Sequence, residues 1–199
     1  MTKKNRSRKT NKELMNAIFH STIEILNNEG YSNLTFSRVA ILAGTTRAVL
    51  YRRWENPFMM LYDAEQHFSD DISSFSNIDF SNSSMRANLV RAIGHFHSSP
   101  KFIRAYMTEL GNDMPYAKNL ASKIKKDNLF IMGRLLKQAQ LDGEIKKNVS
   151  DYVKLLPFNL LMYQAMLNPD ELTHAWVKQM IDETVIPAIM AQQKQPKKE

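Results

Sequence analysis

The chain has no cysteine in 199 residues. That excludes a disulfide framework and a thiolate metal site, and it fits a reducing cytosol. Glycine and proline are scarce, at 6 and 7 residues, and there is no Gly/Ser tract. So few turn formers argue for helices rather than a many-turned β fold. No apolar run approaches the roughly 18 residues that a membrane span needs. The opening stretch, MTKKNRSRKTNKE, is cationic, but no apolar segment follows it, so no secretory signal is expected. These absences point to a cytoplasmic protein with no membrane association.

Catalytic motifs are missing too. There is no Gly-rich phosphate loop, no G-x-S-x-G elbow and no H-E-x-x-H pair. His95 and His97 stand two apart, on different faces of a helix, and His20, His67 and His174 are isolated. The expectation is no enzyme activity, no metal site and no cofactor.

What is present is a charge imbalance. The formal net charge is +7. Residues 1–60 hold ten basic and four acidic side chains, so +6 of it sits in the first third. A polyanionic partner would therefore meet the N-terminal region. The apolar fraction of 43% is enough for a packed core.

Helix signals run the length of the chain. Thr10 and Glu13 form a capping box ahead of Leu14, Ile18, Thr22 and Ile25, which predicts a helix over about 11–28, stopped by Gly30. Thr35 caps a short second helix that ends at Gly44. Thr45 or Thr46 caps a third, running to about Trp54. Asn56-Pro57 opens a fourth, reaching about Ser74. A helix, a tight Gly corner and a second helix make a helix-turn-helix. In the third helix, GTTRAVLYRRW, Leu50 and Trp54 lie four apart and share a core-facing side. Arg47, Ala48, Tyr51, Arg52 and Arg53 are left for a cationic outer surface. Guanidinium forks fit guanine edges or phosphate, and the tyrosine and capping-threonine hydroxyls suit phosphate oxygens. A basic N-terminus would also attract anionic lipid, but lipid binding accounts for neither the Gly corner nor the arginines around Tyr51.

The stretches IFHSTIEILNNEGYSNLT and TFSRVAILAGTTRAVLYRRWENPFMML resemble the DNA-binding domain of the TetR family of bacterial transcriptional regulators, over residues 10–62. The resemblance implies an all-α chain. An N-terminal three-helix DNA-binding domain (1–56, with a basic arm) precedes a C-terminal helical effector-binding and dimerisation domain (57–199). It also implies a homodimer on a palindromic double-stranded DNA operator, released by a small-molecule effector. Carried over by position, Thr35 and Tyr51 meet phosphate, Thr46 and Arg47 open the recognition helix, Ala48 lies near bases, and Arg52 meets DNA. Thr45 and Arg53 complete the candidate set. Two positions depart from the family pattern. Pro57 stands where a lysine is common. Arg38 replaces a common acidic residue and is expected to be offset by a phosphate.

Further helices are expected at Met85–Ser99, at 100–111, at Met114–Leu141, at Tyr152–Leu167 around Pro157, and at about 170–190. The 152–167 segment is apolar nearly all round, which predicts burial on every side, partly against a second subunit. Leu160 and Val177 are the expected interface positions. Tyr62, Phe96, Phe102, Tyr106, Met107, Met132, Phe158 and Met162 are candidates for an adaptable apolar effector pocket. The alternative is an architectural or activating DNA-binding protein with no effector.

Overall fold

The computed structural model describes residues 10–68, 78–94 and 99–194, and every regular element among them is helical. Helix α1 (Asn11–Glu29) begins with the expected capping box. The Thr10 hydroxyl accepts from the Glu13 N–H at 3.2 Å, and the Glu13 carboxylate accepts from the Thr10 N–H at 2.8 Å. A 3-10 turn (Tyr31–Asn33) leads to α2 (Phe36–Ala43), capped by Thr35. Gly44 then adopts φ 66° and ψ 41°, a left-handed conformation that any Cβ would strain. The Gly44 and Thr45 N–H groups turn back to the Ile41 and Ala40 carbonyls, and the chain reverses into α3 (Arg47–Tyr51). Helix α4 (Pro57–Phe68) starts at Asn56, whose Oδ1 accepts from the Met59 N–H at 2.9 Å. The expected continuation of α4 to Ser74, the basic arm 1–9, and the end of the next helix at 95–98 lie outside the described residues.

Helices α5 (Met85–Gly94), α6 (Pro100–Gly111), α7 (Pro115–Leu141) and α8 (Asp151–Leu167) follow. The single last helix expected at 170–190 is divided. Pro169–Glu171 forms a separate 3-10 turn, and α9 (His174–Met180) begins only after Thr173 caps the Trp176 N–H at 3.2 Å. A π turn (Ile181–Val185) joins α9 to α10 (Ile186–Ala191). Pro187, which has no N–H for the regular ladder, follows directly. The Ile186 N–H reaches the Ile181 carbonyl, five residues back.

Packing divides into two cores. The first joins Ile18, Leu26, Val39, Leu50 and Phe58 to Phe102 and Tyr106 of α6 and Leu120 of α7. The second gathers Leu89, Met132, Leu135, Leu161 and Ile181 from α5, α7, α8 and the π turn. Thus α6 and the start of α7 share a core with the N-terminal helices.

Helix α8 leaves one side uncovered within the protomer, the side expected to meet a second subunit. It is not buried on every side within the protomer, since Tyr152, Tyr163 and Leu167 are 89%, 64% and 55% exposed. Its buried side includes Pro157, Phe158, Leu161, Gln164 and Ala165. Val177 corrects an expectation. It is 7% exposed and belongs to the second core, against which Leu160 also packs. Among the described residues, no helix is long and apolar enough to cross a membrane.

Candidate nucleic-acid interface

The short helix α3 is held from beneath. Leu50 is 0% and Trp54 6% exposed, as their four-residue spacing predicts. The Trp54 indole N–H donates to the Asp63 carboxylate of α4 at 2.7 Å, and its ring meets Phe19 of α1 edge-on at 6.1 Å. The helix also ends earlier than expected. Regular structure stops at Tyr51, and the Arg53 and Trp54 N–H groups both turn to the Leu50 carbonyl, at 2.9 and 3.0 Å.

The residues left outside are the candidates. Arg47, Ala48, Arg52 and Arg53 are exposed, and Tyr51 is 62% exposed. Thr46 occupies the N-cap position and is exposed, but its side chain makes no capping bond. Thr45 is half-buried. The Thr35 hydroxyl accepts from the Arg38 N–H at 3.3 Å. The ring of Phe36 meets Tyr51 edge-on at 4.7 Å. Because Phe36 follows Thr35, the start of α2 and the outer side of α3 adjoin. Arg53 is also tied to the start of α1, donating to Asn11 Oδ1 at 2.7 Å.

Arg38 departs from expectation. Its guanidinium pairs with the carboxylate of Glu29, the last residue of α1. A cation in the first turn and an anion in the last are each unfavourable to their own helix dipole, and the pair offsets both. The phosphate invoked for Arg38 is not needed.

Three supporting residues were missed by the sequence reading: Phe36 under Tyr51, Asp63 under Trp54, and Asn11 beside Arg53. Only Phe36 carried a signal, as an apolar residue following a cap. The Asp63 and Asn11 contacts join different helices, which periodicity does not relate.

Among the described residues the effector candidates are divided between the two cores. Phe102 and Tyr106, 5% and 4% exposed, lie in the first core, with Tyr62, Met107 and Met162 packed against it. Met132 and Phe158, 0% and 7% exposed, lie in the second. Phe96 is outside the described residues.

No protein-family model and no curated protein matches the chain. Solved structures do. A regulatory protein in the TetR family from Rhodococcus RHA1 superposes with a TM-score of 0.64 at 13% identity, covering 91% of this chain and 98% of its own. The fatty acid degradation regulator FadR of Bacillus halodurans gives 0.60 at 12% identity, covering 97% and 100%. A Clostridium perfringens protein named for fatty acid metabolism regulation gives 0.63 at 18% identity, covering 87% and 98%. The chain has the TetR-family fold. Identities this low speak for the fold alone. The likeness in TetR-family fold nevertheless spans nearly the whole chain, where the resemblance in sequence is confined to residues 10–62.

Proposed function

We propose that this chain is a DNA-binding transcriptional regulator that acts as a homodimer on a two-fold symmetric operator. The observation that carries the reading is α3. A buried Leu50–Trp54 pair lies under an exposed surface of Arg47, Ala48, Tyr51 and Arg52, in the third of the chain that holds nearly all the net positive charge. Such a helix offers base-reading side chains in its first turn and phosphate-binding ones around them. Residues 1–56 would form the DNA-binding unit and 57–199 the dimerisation and effector unit. Exposed Tyr152, Tyr163 and Leu167 on α8 support pairing of two copies there, since apolar side chains at such exposure favour a covering surface.

A dimer would hold two recognition helices about 34 Å apart, the spacing of successive major grooves. A small apolar effector would favour a conformer with another spacing, and a differential affinity of about 1–3 kcal/mol is enough to shift occupancy. The protein would then act as a repressor released by its ligand. One observation favours the reading without an effector. Phe102, Tyr106, Met132 and Phe158 are filled into the cores. A thermal-shift screen against metabolites separates the two, because a ligand of the native state raises the midpoint.

The test of the reading itself is repeated selection of duplexes from a random library by the purified protein. The expected result is enrichment of an inverted repeat with half-site centres about 10 base pairs apart or a multiple of that. A library without enrichment overturns the proposal.

A further inference from the structure

Tyr31 sits in the corner between α1 and α2, and its phenol donates to Glu109 Oε1 at 2.6 Å. Glu109 lies near the end of α6, and its Oε2 accepts from the hydroxyl of Tyr116, in the first turn of α7. One carboxylate thereby joins the approach to α2 with the α6–α7 corner. Among the described residues Glu109 has no basic partner.

The surroundings are aromatic. Phe58 of α4 is 0% exposed and stacks on Phe102 at 6.0 Å, Tyr106 at 6.3 Å and Tyr116 at 5.9 Å. The ring of Tyr31 meets Phe58 edge-on at 6.3 Å. Stacked rings slide past one another at small cost, whereas a carboxylate held by two phenols specifies one arrangement. Burial, and then Glu109 itself, raise both phenol pKa values, that of Tyr116 to about 12, so both hydroxyls stay donors at neutral pH. The other end of α6 is tied as well. Glu65 of α4 accepts from the Ser99 N–H at 2.7 Å, and the Lys101 ammonium donates to the Asn27 carbonyl of α1 at 2.5 Å. Helix α6 is thus fastened to the N-terminal helices at both ends, and only the Glu109 end reaches the corner that leads into α2.

We propose that Tyr31, Glu109 and Tyr116 form the link through which occupancy of α2 and α3 by DNA is felt at the α6–α7 corner. This rests on the DNA-binding reading above. Linkage is reciprocal: whatever displaces α6 changes DNA affinity by the factor with which DNA changes the stability of α6. A tie that serves stability alone would lower the unfolding midpoint when cut and leave no DNA-dependent signal to lose.

The experiment is amide hydrogen exchange on the full chain, with and without a duplex enriched by the selection described above. In the unaltered protein the duplex slows exchange at residues 46–52 and, by about 5-fold or more, at residues 108–116. Tyr31→Phe keeps the ring against Phe58 and removes one hydroxyl. It retains the slowing at 46–52 and loses that at 108–116. Glu109→Gln, whose amide oxygen still accepts from Tyr31, retains part of it. Should Tyr31→Phe not fold, Tyr116→Phe replaces it, with the same expectation at 114–116. Unchanged exchange at 108–116 in the unaltered protein with 46–52 protected overturns the link, as does a Tyr31→Phe protein that responds like the unaltered one. Absence of protection at 46–52 is a separate result: it overturns the DNA-binding reading, and the link with it.

Discussion

Along α3 and the turn after it, the solvent side carries three guanidiniums beside Tyr51, while Leu50 and Trp54 are 0% and 6% exposed. On α8 the pattern inverts. Tyr152 and Leu167 are 89% and 55% exposed, while Gln164 is 9% exposed and donates to the Asn168 carbonyl and the Glu171 carboxylate. Both helices keep an exposed outer side. Their chemistry separates the partners they suit: a polyanion for the first, an apolar surface for the second. The helices also differ in how they are held. Helix α3 spans five residues and owes its position to one pair of anchors. Helix α8 spans 17 residues and owes its position to a broad packed side.

That contrast is broken most forcefully at the anchors. Trp54→Ala removes a buried indole and its bond to Asp63, and a loss of about 3–5 kcal/mol in urea unfolding is expected. A loss below about 1 kcal/mol would mean that α3 is held by something other than its anchor pair. The second core and the exposed side of α8 are tested by one substitution each. Val177→Glu places a charge in the second core and is expected to abolish the cooperative transition. Tyr163→Glu places the same charge on the exposed side. It is expected to preserve the far-UV helical signal while light scattering falls from dimer to monomer mass. An unaltered protein that is already a monomer at micromolar concentration would remove α8 from the comparison.

A smaller effect is expected at high pH. Unfolded phenols ionise near about 10, whereas burial and Glu109 hold Tyr116 to about 12 and Tyr31 higher still. The stability these groups contribute is complete below pH 10 and is lost as pH rises through 12. The urea midpoint should fall between about pH 10 and 12, and the double variant Tyr31→Phe, Tyr116→Phe should fall less steeply. Equal slopes would show that the seam contributes nothing to the alkaline loss.

How much of this was legible in the sequence follows from the range of each interaction. The capping box at Thr10 and Glu13, the left-handed Gly44 and the Leu50–Trp54 spacing are local, and each could be read from a few residues. Pairs that join separate helices could not. Glu29 with Arg38, Asp63 with Trp54, Asn11 with Arg53 and Glu109 with Tyr31 have no period that relates them. The Arg38 expectation failed for that reason: the charge was seen and its partner was not. Val177 of α9 failed differently: apolar spacing does not say whether a side finds cover within the protomer, so it was placed at an interface when the second core encloses it. Spacing also offered the aromatic and methionine residues of α6, α7 and α8 as one pocket, whereas folding divides them between two cores.

The most direct test of the central claim, that α3 reads DNA, compares Arg47→Ala and Tyr51→Phe on an enriched duplex and on its scrambled counterpart at fixed salt. Arg47 lies in the first turn of the exposed side, where side chains reach base edges. Its loss should cost about 1–3 kcal/mol on the enriched duplex and little on the scrambled one. Tyr51, supported by Phe36, should contribute equally to both, because a phosphate contact carries no sequence information. If Arg47→Ala weakens the two duplexes by the same factor, Arg47 clamps phosphate and base reading passes to Arg52. If neither substitution changes either affinity, α3 is not the DNA-reading element and the account is contradicted.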